Sequence, residues 1–254
     1  MSSNRLRLNP DKTEFIWLGT GHARSRIDAQ AIEAAFSNWK TKRVVRDLGV
    51  LLDEDLSMDQ HVGSLCRSCF YQLRQIRVIR RNLSHEAAAT LVHSFVLNRL
   101  DFCNAVLAGL PKSRIRQLQS VLNCAARVVA DLPKFSHISS YMRDTLHWLP
   151  VVDRITFKII VMGRVSMVGR APEYISELCI PVSNQPGRRS LRSATRGDLI
   201  VPRSRTVMRA SRAFSCIGPS YWNSLPLKIR DTALLLSHET FSRTIKTHLF
   251  RTVW

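Results

Sequence analysis

No two aspartates are adjacent anywhere in this 254-residue chain. That excludes the Asp-Asp turn on which a pair of catalytic metal ions can be held. Glycine-rich phosphate loops are missing too, with no G-x-G-x-x-G and no G-x-x-x-x-G-K-[ST]. Neither H-E-x-x-H nor G-x-S-x-G occurs, so an independent hydrolase or oxidoreductase has no support. No apolar run approaches the ~18 residues of a membrane span. The best candidate, 155–169, is broken by Lys158 and Arg164. The opening Met1-Ser-Ser-Asn-Arg5 lacks the apolar centre of a signal peptide. The expectation is an intracellular protein of cytoplasm and nucleus, not secreted and with no membrane partner.

Acidic residues are also scarce. Nineteen Asp and Glu face 38 Lys and Arg, for a formal charge of +19. The imbalance is uneven along the chain. Residues 1–60 hold nine basic and nine acidic residues, 61–180 hold sixteen and seven, and 181–254 hold thirteen and three. Thirty of the basic residues are arginine, whose planar fork grips phosphate bidentately and stacks on bases. A polyanionic partner follows, with nucleic acid favoured over membrane. A merely solvated basic surface is the plainer alternative.

The six cysteines supply one C-x-x-C, Cys66-Arg-Ser-Cys69, with no second pair or matching histidines. A structural zinc site needs four ligands, so free thiols beside apolar stretches are the better reading. Asp53-Glu-Asp55 is likewise no metal pair on this reading. It directly precedes a helix start, where negative charge is favoured.

With 45% hydrophobic residues the chain suits a globular protein of one large domain or two small ones. Its start reads as β. Glu14-Phe-Ile-Trp-Leu18 and Leu48-Gly-Val-Leu-Leu52 are short apolar runs, with a possible helix over 28–39 between them. From Ser57 the pattern turns helical. Ser57-Met-Asp-Gln60 is a capping-box signature, and Met58, Val62, Leu65, Cys69, Leu73, Ile76 and Ile79 follow at helical spacing. Arg67, Arg74, Arg77 and Arg81 fall in a sector roughly 80° wide beside that stripe, at ~100° per residue. Further helices are predicted from Ser84, from Pro111 to just before Pro133, over 151–168, from Pro172, and over 237–249. Residues 181–205 are basic and rich in Pro and Gly, a plausible boundary. Residues 198–218 are read as a second small β portion. The fold class expected is mainly α with a small β portion, divided into residues 1–56, 57–180 and 181–254.

Several segments in this order resemble the reverse transcriptases of LINE-type retrotransposons, elements without long terminal repeats, in their jockey-like and chicken-repeat-like branches. They are Leu8-Asn-Pro-Asp-Lys-Thr-Glu14, Val45-Arg-Asp-Leu-Gly-Val50, and Leu100-Asp-Phe-Cys-Asn104 leading to Gly109-Leu-Pro111. Leu146-His-Trp-Leu-Pro150, Arg154-Ile-Thr-Phe-Lys158, Ala171-Pro-Glu-Tyr174 and Arg189-Ser-Leu-Arg192 continue the series. Val201-Pro-Arg-Ser-Arg205, Trp222-Asn-Ser-Leu-Pro226 and a closing Thr247-His-Leu-Phe250 complete it.

The resemblance implies the end of a polymerase palm over 1–56, a thumb-like helical domain over 57–180, and a basic C-terminal tail of mixed α/β character. The fingers and front palm of the same polyprotein, with their Asp-Asp turn and its Mg²⁺, are missing from the chain. No cofactor is expected in the fragment itself. Lys12 matches a palm lysine implied in protonating the leaving pyrophosphate; here it has no metal site beside it and reads as a surface lysine. Leu48, Gly49 and Val50 match the strand turn that supports the primer terminus. The implied partner is an RNA and DNA template–primer duplex. Arg67, Arg74, Arg77, Arg81, Arg114 and Arg116 would contact its phosphates.

Two other readings stay open at this point. The chain could be a non-enzymatic nucleic-acid-binding module, or a retroelement remnant without function. Tyr221 and Trp222 could stack on unpaired bases, but an aromatic segment of this kind is more often core.

Overall fold

The computed structural model describes residues 9, 12–28, 30, 41–184, 196–203 and 210–254. They are mostly helical, with one small antiparallel sheet. The chain divides into two compact units, Met1–Arg67 and Ser68–Trp254.

The first unit is built on a hairpin. Strands β1 (Val44–Asp47) and β2 (Val50–Asp53) pair with Val44 opposite Asp53 and Asp47 opposite Val50. Leu48 and Gly49 both have positive φ, 44° and 91°, as a two-residue hairpin turn requires. Thus Leu48-Gly49-Val50, expected at a strand turn, is one. Leu48 is exposed and Val50 buried. The expected strand over 14–18 is reduced to a single parallel bridge, Phe15 to Thr41. The helix expected over 28–39 lies almost wholly outside the described residues.

After β2 the chain turns sharply, with Leu56 and Met58 at φ 52° and 62°. The Asp53 carboxylate ties this turn together. It accepts from the Asp55, Ser57 and Met58 N–H groups at 3.2, 2.7 and 2.8 Å, and from the Ser57 hydroxyl at 3.1 Å. The first helix, α1, is the short Gly21–Ser25; helix α2 then runs Asp59–Ile79, one residue later than a cap at Ser57 predicts. Ser57 Oγ accepts from the Asp59 N–H, the first of α2, at 3.2 Å, while Asp53 serves the turn before it.

His61, on the first turn of α2, is buried and its Nδ1 accepts from the Leu51 N–H at 3.4 Å. Burial lowers the His61 pKa below its ordinary value. The unfolded chain therefore takes up this proton at a higher pH than the folded one. His61 contributes stability that is present above about pH 6.5 and is lost as the pH falls below it. Thermal unfolding at pH 7.5 and 5.5 should show a larger acid loss for the wild type than for His61→Asn, which keeps an acceptor for Leu51. Equal losses would remove His61 as the cause.

The second unit contains the rest of α2 and the helices that follow. Ser84 caps α3 (His85–Val92), accepting from the Ala87 N–H at 3.1 Å. A single π-helical turn, His93–Leu97, passes into α4 (Asn98–Asp101). The long α5 (Lys112–Ala130) buries Leu118, Val121, Leu122, Ala125 and Ala126. Asp131, at φ 53°, ends it in a left-handed cap. Helices α6 (Ser139–Asp144), α7 (Val151–Met167) and α8 (Glu173–Ser176) come next, then α9 (Phe214–Asn223), α10 (Leu227–Ala233) and α11 (His238–Val253). α7 is central, packing against α5, α9 and α11.

Two expectations are corrected here. Residues 181–254 do not stand apart from the helices before them. Trp222, Leu225, Phe241, Ile245 and Leu249 share one core cluster with Leu149, Ile160 and Cys179, so the unit continues across position 180. Among the described residues the C-terminal β portion is also smaller than expected. Leu199 forms one isolated bridge with Pro181, and 214–223 is helical. Trp222 is buried with its Nε1 donating to the Gly197 carbonyl at 3.0 Å, which is the packing role.

Candidate nucleic-acid interface

The exposed side of α2, with the 3-10 turn Arg80–Asn82 that follows it, carries the arginines singled out from sequence. Arg74, Arg77 and Arg81 are all exposed in the second unit. Arg67 is exposed as well and closes the first unit. Sequence periodicity placed these arginines beside the apolar stripe, and the buried Cys69, Leu73 and Ile76 confirm that stripe. Phe70, Tyr71 and Val78 are exposed between the arginines, at 39%, 58% and 76% of their free surface. At ~100° per residue the five side chains from Phe70 to Val78 fan over roughly a third of the helix circumference. Cations interleaved with flat rings can hold phosphates and stack on bases at the same time. Phe70 and Tyr71 were overlooked in the sequence, although each lies three or four residues from Arg74, on its own face.

Not every arginine here is available. Arg80 follows Leu73 by seven residues and Ile76 by four, which puts it on the buried stripe. Its Nε and Nη2 donate to the Val128 and Val129 carbonyls at 2.8 and 2.9 Å, and Nη1 to Leu83 O at 2.8 Å. Val128 and Val129 lie in the last turn of α5, where a cation is favoured. Arg77 adds a bond to Leu132 O at 3.1 Å, yet keeps an exposed side chain.

The same device recurs. Arg127 donates to Ser136 O at 2.9 Å and Arg212 to Ala108 O at 3.1 Å. Arg164 is buried and donates to the carbonyls of Ala233, at 2.7 Å, and Leu236. Desolvation lowers the Arg164 pKa. Arg154 clamps Asp101 with two nitrogens, and Arg230 pairs with Asp198. Much of the arginine surplus thus satisfies carbonyls and carboxylates inside the fold, so net charge overstates the surface available to a polyanion.

The remaining expected site residues do not gather on α2. Arg114 is half-buried and Arg116 exposed, both in the first turns of α5. Two residues apart on a helix differ by about 200°, so they share no face. Arg116 lines an apolar cleft with Lys112, Ile115 and Tyr221. Lys12 is exposed in a short turn in the first unit, its N–H donating to Asn9 O at 3.2 Å.

Asp53, Glu54 and Asp55 do not fit a Mg²⁺ pair. Asp53 spends both carboxylate oxygens on the turn before α2. Arg24 sits 3.4 Å from Glu54 and 2.9 Å from Asp55. Among the described residues there is no group of three or more His, Cys, Asp or Glu that could hold a metal ion. All six cysteines are free; Cys66, Cys69 and Cys179 are buried, and Cys103 is exposed. No described helix is long and apolar enough to cross a membrane. No protein-family model matches the chain, and no match was found among curated proteins or solved structures.

Proposed function

We propose that this chain is the C-terminal part of a LINE-type retrotransposon reverse transcriptase, comprising the end of the palm, the thumb and the tail. On this reading it binds the template–primer duplex through the exposed face of α2 and does not polymerise alone. The observation that carries the binding role is the exposed set Phe70, Tyr71, Arg74 and Arg77 on α2 with Arg81 in the 3-10 turn that directly follows it. The ordered segments quoted from the sequence carry the family reading.

The mechanism asked of the fragment is positional. Arginine forks neutralise duplex phosphates and release counterions, which gives affinity without base preference. At its far end α2 is held by Arg80 on α5 and by Arg77 on Leu132 just beyond it, which keeps those forks in register. Polymerisation and its Mg²⁺ belong to the palm and fingers of the longer enzyme. The test is a template–primer of RNA and DNA, offered with Mg²⁺ and deoxynucleotides. The pure chain should bind it saturably and add no nucleotide. Incorporation would overturn the inactive-fragment reading, and absence of binding would overturn the interface.

A further inference from the structure

A second site lies away from the α2 face, in the second unit. A cavity of about 620 Å³ opens between the π-helical turn, the loop before α7, and the facing sides of α7 and α11. That volume is in the range of small-molecule sites. Lys158 and Lys246 line it from α7 and α11, and His93, His147, Trp148 and Asn104 are among its other polar and aromatic lining residues. We propose that this cavity binds a nucleoside 5′-monophosphate unit, either free or as an unpaired nucleotide of a strand.

Three features converge on that ligand chemistry. The first is charge. Lys158 and Lys246 are exposed and make no ion pair among the described residues. The carboxylate in the lining, Asp101, is already clamped by Arg154. The cavity therefore favours an anion, and two ammonium groups suit a phosphate.

The second is a flat surface. Trp148 is half-buried at the cavity wall, and the His147 ring stands edge-on to Phe250 with centroids 5.9 Å apart. Such rings accept a planar base.

The third is an unspent acceptor. Asn104 is buried, and its Nδ2 donates to Asp101 Oδ1 at 3.3 Å. Its carbonyl oxygen has no hydrogen-bond partner in the structure. An orphaned buried acceptor is costly unless a donor reaches it, and Asn104 belongs to the cavity lining, where a small shift of its amide would present this oxygen to the amino edge of a base.

The backbone around the cavity is irregular in the same places. His93 and Leu97 bound the π-helical turn, His147 has φ 51°, and Cys103, next to Asn104, has φ 49°. Non-glycine residues at positive φ and π turns concentrate at functional sites. Here three of them border one cavity.

The site uses none of the α2 arginines, so the duplex reading and this one can fail separately. The test is calorimetric titration of the full chain with AMP, adenosine, ribose 5-phosphate and inorganic phosphate. AMP should bind at one saturable site. Adenosine and ribose 5-phosphate should each bind about tenfold more weakly, one for want of phosphate and the other of base. The double variant Lys158→Ala/Lys246→Ala, both exposed, should weaken AMP by about tenfold or more. Arg74→Glu/Arg81→Glu should leave AMP binding unchanged. A hexamer of deoxyadenylate that displaces AMP identifies a strand as the source; one that does not identifies the free nucleotide. No saturable AMP binding, equal binding of AMP and inorganic phosphate, or an unaffected lysine variant would overturn the proposal.

Discussion

Replacing Arg74 and Arg81 by glutamate lowers affinity for a template–primer duplex by about 100-fold, while the helical circular-dichroism spectrum is unchanged. The magnitude follows from losing two charge-assisted phosphate contacts and placing repulsive charge in their stead. Both side chains are exposed and neither makes a hydrogen bond to the rest of the fold among the described residues, so the substitution should leave folding intact. Arg77 is left out of the variant because it also holds the Leu132 carbonyl. Arg80 serves as the opposite control. Arg80→Ala frees the Val128, Val129 and Leu83 carbonyls and acts through stability rather than through phosphate contact. If the double glutamate variant binds as tightly as wild type, the basic surface of α2 is solvated charge only. Filter retention or fluorescence anisotropy with a labelled hybrid reads the difference directly.

Phe241→Ala should cost the second unit about 4 kcal/mol of unfolding free energy, in the range for a fully buried phenylalanine. Phe241 is completely buried. Its ring stacks on Trp222 with centroids 6.3 Å apart and an interplanar angle of 28°. The Arg164 guanidinium lies over its face at 5.0 Å. Removing the ring opens a cavity beside a buried cation, and that cation loses the face that offsets part of its desolvation. Phe241→Leu should cost less than half as much, because it keeps most of the volume. Chemical denaturation of both variants separates the two. A loss below about 1 kcal/mol for the alanine variant would mean that α11 is not docked in this core.

Wherever apolar spacing was regular, the helices were legible in the sequence. The long α2, α5 and α7 begin and end within two residues of where their patterns run out, because one continuous buried face dictates each of them. α11 was found by Phe241, Ile245 and Leu249, all buried, though it runs four residues further than the pattern suggests. The segment 214–223 was not legible as a helix. Gly218 and Pro219 inside it are read locally as breakers, and its helix forms against α7 instead.

The candidate interface was partly legible. Helical arithmetic put Arg74, Arg77 and Arg81 on one face, and the same arithmetic places Arg80 among the core residues. The carbonyls that Arg80 and Arg164 satisfy come from chain 48 and 69 residues away, which no local pattern encodes. The cavity of Lys158 and Lys246 was illegible for the same reason. Its walls come from the π-helical turn, the loop before α7, and two helices far apart in sequence.

The salt dependence of duplex binding tests the α2 interface most directly. A labelled RNA–DNA hybrid should be titrated with the wild-type chain between 50 and 200 mM salt, as orders of magnitude that bracket the strong electrostatic regime. Each phosphate neutralised contributes a slope of about −0.9 in log affinity against log salt. Arg74, Arg77 and Arg81 together predict a slope of about −2.7 or steeper, falling by about 1.8 in Arg74→Glu/Arg81→Glu. A flat salt dependence, or a slope the variant does not change, would contradict a nucleic-acid interface on this helix.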